Sequence, residues 1–213
     1  MIESKNTRRN ARSKFTALTC SVLAIAAINL LGCASEVESE EDSLAESSDA
    51  LSQDDICLGR NVSSERCNLT KFYLHVGAPD DRKVILERAF SWVDAQVKYN
   101  ANASYGGFTR DCSGLVSMAW GLDRTYATAK MAPFDASFTW ELPSVDELIP
   151  GDAISRRQRR NGKGHIMLFA GWADEWHTSF FTIEQRSTGI PTALSQRPRS
   201  FLDGYAPIRH VWM

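Results

Sequence analysis

Cys112 lies in the stretch TRDCSGLVSMAW, residues 109 to 120, between an acid and a small polar residue where an apolar helix begins. A thiol attacks as its thiolate, which calls for a positive local field, a nearby imidazole and a group that orients that imidazole. The first turn of a helix supplies the field through its unpaired amides and its dipole. The same amides suit a developing oxyanion. Ser113 and Gly114 leave the thiol uncrowded. The competing role for a cysteine in an apolar run is buried, inert packing.

The imidazole must come from His75, His165, His177 or His210. His165 opens the strongest strand pattern in the chain, GHIMLFAGW, and a side chain at a strand start can project from the end of a sheet into a cleft. His177 lies in a polar connection, and His75 precedes the helices that carry the thiol. If residues 165 to 170 and 180 to 185 form a hairpin, a symmetric register about 172 to 177 sets residue 165 opposite residue 184. Glu184 then accepts the ring proton of His165. Gln185 is the alternative, because a one-residue slip reverses the faces of a strand.

Whether Cys112 stays free depends on the other cysteines, at 20, 33, 57 and 67. Residues 1 to 14 carry Lys5, Arg8, Arg9, Arg12 and Lys14 against Glu3, and Phe15 to Leu31 is an uncharged run of 17 residues. These are the basic and apolar regions of an export signal. Cys20 leaves with it. The run ends in LLGC, residues 30 to 33, which resembles the lipobox of bacterial lipoproteins and implies a lipid on Cys33, the new N-terminus. Multiple acyl chains there would anchor the protein in a membrane. Ser35 fits sorting to an outer membrane, facing the periplasm. A plain spanning anchor is the alternative, and 17 residues is its short limit. Cys57 and Cys67 bracket CLGRNVSSERC and are the candidate disulfide of an oxidising compartment. Cys112 is left without a partner.

Residues 34 to 55 hold nine acids, no base and no aromatic side chain, the composition of a disordered, self-repelling tether. From residue 56 onward, 19 Lys and Arg face 16 acids, so the net charge of −2 for the chain hides a mildly basic folded part. That excess is too small to argue for nucleic acid. No metal and no cofactor is expected, and the protein is read as a monomer. The nine residues RRQRRNGKG, 156 to 164, read as a solvated hairpin tip, with a rim for anionic polymers as the alternative.

The elements that must hold these side chains follow from periodicity. Residues 80 to 98, after Pro79, place Ile85, Ala89, Trp92 or Val93 and Gln96 or Val97 at helical spacing. YNANASYGGFTR, 99 to 110, reads as a turn-rich loop, and Asp111 to Trp120 as a helix through the core. Strands are expected at 150 to 155, 164 to 172, 179 to 186 and 207 to 213. Helices before strands give an α+β fold with N-terminal helices packed on an antiparallel sheet. The chain divides into a signal at 1–33, a tether at 34–55, an extension at 56–79 and a folded domain at 80–213. It contains no internal repeat.

DCSGLVSMAW, then PGDAI, then GHIMLFAG, in this order and spacing, resemble the NlpC family of papain-like cysteine peptidases, bacterial cell-wall endopeptidases. The resemblance covers residues 80 to 213 and implies a papain-like fold. It implies Cys112 as nucleophile, His165 as general base and acid, and a polar third residue on the next strand. Many members carry His, Asn or Gln in that third place, so Glu184 departs from the pattern. The resemblance also implies an upstream tyrosine in the substrate site, matched by Tyr99 or Tyr105. Asp111 matches the motif beside the thiol, and with Ser113 joins the substrate-site candidates; a helix N-cap is the alternative for Asp111. The implied substrate is peptidoglycan, cut at the γ-D-glutamyl-diamino acid bond of the stem peptide. The alternatives are an amidase or transferase acting on a non-peptidoglycan amide, and a catalytically inactive wall-binding lipoprotein.

Overall fold

The computed structural model describes residues 54–131, 138–156 and 164–211. The expectations for the signal, Cys33 and most of the tether, and the basic turn at 157–163, lie outside the described residues. The chain builds a seven-stranded sheet in which every neighbouring pair is antiparallel, six of its strands coming from residue 139 onward. Its strands are β1 (Asp54–Cys57), β4 (Thr139–Glu141), β5 (Ala153–Arg156), β6 (His165–Trp172), β7 (Ser179–Glu184), β8 (Ala193–Pro198) and β9 (Ala206–His210). The spatial order is β1-β8-β7-β6-β5-β9-β4, which puts β6 at the centre. With its helices this is a mixed α+β architecture, as composition and order imply.

Alternation along β6 separates two cores. Ile166, Leu168 and Ala170 pack with the helices, whereas Met167 and Phe169 turn the other way against Ile154, Phe180 and Leu202. Helix α2 (Asp80–Asp94) buries Ile85, Leu86, Ala89, Phe90, Trp92 and Val93, so the helical spacing in the sequence is its core face. Asp80 and Asp81 sit in its first turn, where the dipole favours acids. Helix α3 (Cys112–Ala119) has seven of its eight residues buried and runs through the core.

Asp152, the acid of PGDAI, is a structural joint. It is wholly buried and accepts from Arg82 of α2 at 3.2 Å and from Arg209 of β9 at 2.8 and 2.7 Å. Removing one partner of such a buried pair strands the other charge, at a cost of about 3–5 kcal/mol.

Two segments differ from expectation. Residues 99 to 110 hold a ribbon, β2 (Asn100–Tyr105) and β3 (Phe108–Arg110), rather than a loop. Gly106 and Gly107 both have positive φ, 58° and 89°, as a tight two-residue hairpin turn requires. Strand β1 takes in Asp54 and Asp55, the last two residues of the expected disordered tether, and residues 56 to 79 supply the rest of it and helix α1 (Glu65–Gly77), capped by Ser64 Oγ, which accepts from Cys67 N at 3.2 Å. Cys57 and Cys67 form a disulfide that ties β1 to α1. Closing so short a loop is worth about 3 kcal/mol.

Helix α1 is apolar on two sides. Cys67 and Leu74 face inward, while Leu69, Phe72, Tyr73 and Val76 are exposed. Among the described residues no helix is long and apolar enough to cross a membrane.

Candidate active site

The thiol is placed by the start of α3. Asp111 is the helix N-cap: its Oδ1 accepts from Gly114 N at 2.7 Å and from Ser113 Oγ at 2.8 Å. The Ser113 side chain is therefore spent on the cap and buried, and Asp111 holds the helix rather than open space. Gly114 is required by packing, since a Cβ there would lie 1.8 Å from the Thr109 carbonyl oxygen. That close approach lets β3 feed directly into the helix. Cys112 is the first helical residue, 9% exposed, with Sγ 3.8 Å from Thr128 Oγ1.

His165, the first residue of β6, meets Cys112 around the strand end. Burial pushes the thiol's proton affinity up, but the hydrogen bond and charge of His165 and the Ile166 amide pull it below the ordinary value, against the charge of Asp111. Burial acts on the histidine in the opposite sense and alone would lower its affinity. Its hydrogen bonds and charge interactions with Cys112 and Glu184 outweigh that and raise it to about 9. The two shifts together favour a thiolate beside an imidazolium. His165 Nε2 lies 3.1 Å from Glu184 Oε2, leaving Nδ1 for the sulfur.

The expected pairing of residue 165 with 184 is corrected. The tip of the β6–β7 hairpin pairs Trp172 with Phe180 and Gly171 with Phe181, but further in Phe169 pairs with Thr182 and Leu168 with Ile183. Ala170 is an extra residue, a bulge in β6. Continued in the inner register, Glu184 is opposite residue 167, and His165 reaches it on the diagonal. Without the bulge, the tip register would have put Gln185 on the face of His165. Gln185 instead turns away, and its Nε2 donates to Val97 O at 2.7 Å and to Thr192 Oγ1 at 2.8 Å.

Glu184 is wholly buried and still charged. Burial opposes ionisation, yet the hydrogen bond to His165 and the charges of Arg197, His165 and Arg186 hold its carboxyl down at about 2. Arg197 Nε donates to Oε1 at 3.0 Å, with Nη2 on the same oxygen, and Arg186 Nε is 3.8 Å from it.

Of the two tyrosines, Tyr99 is at the site. It is half-buried, and burial followed by the charges of Cys112 and Asp111 pushes its phenol up. Tyr105 lies on the exposed ribbon, edge-on to Trp92 at 5.8 Å between centroids. His75 pairs with Glu87 at 2.8 Å, His177 stacks on Trp172 at 4.1 Å, and His210 packs against Trp120 at 5.4 Å. The thiol's histidine is His165.

Thr128, Tyr205 and Arg197 carried no signal in the sequence, and Arg156 enters the sequence reading only as the first residue of a basic tip. Thr128 is in the short helix α4 (Thr128–Met131), beside the sulfur. Tyr205 precedes β9; burial raises its phenol, and its electrostatic neighbours are Arg156, Glu184, Arg197 and Cys112. The Arg156 guanidinium lies over its ring at 5.1 Å. Arg156 is itself the ladder partner of His165. Only sheet order brings these groups together. A shallow depression lined by Ser63, Glu65, Asn68, Leu69 and Phe72 contains none of them. Among the described residues no group of three or more His, Cys, Asp or Glu could hold a metal ion.

No protein-family model, no curated protein and no solved structure matches the chain.

Proposed function

We propose that the chain is a cysteine hydrolase with a papain-like, NlpC-type fold that cuts an amide in peptidoglycan stem peptides, its bond being the γ-D-glutamyl-diamino acid link by resemblance. The observation that carries this reading is the continuous connection Cys112–His165–Glu184, with the thiol at a helix start and the carboxylate buried and ionised. The thiolate attacks the scissile carbonyl carbon, and the oxygen takes the displaced electron pair beside the first-turn amides of α3. His165 gives its proton to the leaving amine as the C–N bond breaks. Water then attacks the thioester, losing a proton to His165, and the acid leaves with the thiolate restored.

The export signal and the Cys33 lipobox add a location: a lipid-anchored monomer at the bacterial envelope, facing the wall. Digestion of purified sacculi, with mass spectrometry of the released fragments, tests this reading. The wild type is expected to release new peptide termini, and Cys112→Ala to release none. Fragments released equally by both proteins, or by neither, would defeat the wall-peptidase reading.

A further inference from the structure

Glu184 divides its two oxygens between partners. Oε2 faces His165 Nε2 at 3.1 Å, and Oε1 takes Arg197 Nε at 3.0 Å together with Arg197 Nη2. Arg197 is 3% exposed, and its guanidinium is packed 3.9 Å from the centroid of Phe201. A second arginine competes for the carboxylate: Arg186 Nε stands 3.8 Å from Oε1. Arg186 Nη2 is drawn the other way by Asp55 of β1 and by Ser195 Oγ at 3.3 Å, while Ser195 Oγ itself donates to Asp55 at 2.7 Å.

We propose that Arg197 is a positioning residue for the reaction: by gripping Oε1 with two nitrogens it keeps Oε2 turned to His165, and Asp55 assists by holding Arg186 aside. A planar guanidinium fixes a carboxylate in orientation as well as charge, which a point charge does not. The inference rests on the cysteine–histidine reading of the site but not on the identity of the substrate.

The charged and titratable groups facing Glu184 are His165 from β6, Arg197 from β8, Arg186 just past β7 and Tyr205 ahead of β9. Cys112 stands beyond His165, Arg156 beside Tyr205, and Asp55 against Arg186. Without Arg197 the carboxylate turns to Arg186. His165 then loses its acceptor, and the imidazolium gives up its proton at lower pH.

The test is the rate at which iodoacetamide alkylates Cys112, read on the tryptic peptide 111–124 across pH, in the full chain. Variants are Arg197→Met, Arg197→Lys, Glu184→Gln and the Arg197→Met/Glu184→Gln double. Arg197→Met is expected to lower the rate near neutral pH by about tenfold and to pull the imidazolium limb down in pH, with Arg197→Lys recovering part of the loss. In the Glu184→Gln background the same change is expected to cost less than about twofold, because no carboxylate is left to orient. If Arg197→Met alone fails to fold, Arg197→Lys, which keeps the buried charge, carries the same comparison in the wild-type and Glu184→Gln backgrounds. Equal losses in both backgrounds, or an unmoved limb, would overturn the role of Arg197. A wild-type Cys112 no more reactive than an ordinary thiol would overturn the cysteine–histidine reading and this inference with it, and is a distinct outcome.

Discussion

At the scale of the residue, folding shifts proton affinity from sulfur toward nitrogen. An ordinary thiol keeps its proton to about pH 9 and an ordinary imidazole to about 6.5, whereas in the folded site the ring holds on to about 9 and the thiol lets go lower. A raised histidine stabilises the fold below its unfolded value, and that contribution fades as pH climbs to about 9. A lowered cysteine stabilises above its unfolded value, and that contribution fades as pH falls through the folded one. Where the folded pair is thiolate–imidazolium and the unfolded pair is thiol–imidazole, each holds one proton, so reactivity rather than stability reports the site there. Amide hydrolysis is expected to rise through the thiol's acid limb and to fall at about pH 9 as the imidazolium is lost. Glu184→Gln keeps an oxygen near Nε2 but removes the charge, so the basic limb should drop toward the ordinary histidine value in a pH–rate profile. A limb that stays in place would show that Glu184 does not tune His165.

At the scale of the element, the thiol depends on how β3 meets α3. Gly114→Ala drives a methyl group into the Thr109 carbonyl, 1.8 Å away, and both are backbone-anchored. The expected cost is about 3 kcal/mol, read as a lower urea midpoint at unchanged slope. A midpoint within error of wild type would mean the approach is looser than the structure has it. Helix α2 was legible from its single buried face, and helix α3 and strands β5, β6, β7 and β9 from short apolar runs that are buried along most of their length. Helix α1 was not, because Leu69, Phe72, Tyr73 and Val76 on its outer side erase the contrast with Cys67 and Leu74. The ribbon β2–β3 had a usable signal in Gly106-Gly107. The register of β6 against β7 had a signal in Gly171, since a glycine inside a strand marks a bulge, but one glycine does not fix which register each side of it adopts, and that bulge is what selects Glu184 over Gln185.

At the scale of the whole molecule, the site is an intersection rather than a segment. Cys112 comes from α3, His165 from β6, Glu184 from β7, Arg197 from β8 and Tyr205 from the turn before β9. Cysteine count, helix start and strand start were enough to single out the first two. Arg197 and Tyr205 enter through strand order, which one sequence does not display. Strand β1 closes the edge beside β8 and sends Asp55 to Arg186, so the far end of the sheet bears on the same carboxylate. The central claim is that this assembly makes Cys112 a nucleophile. The most direct measurement is its alkylation rate at about pH 7 in the folded chain, in the urea-unfolded chain and in folded His165→Ala. The account predicts that folded wild type reacts at least about tenfold faster than the unfolded chain and that His165→Ala loses the advantage. A folded Cys112 that reacts more slowly than the unfolded one, or that is indifferent to His165→Ala, would contradict it.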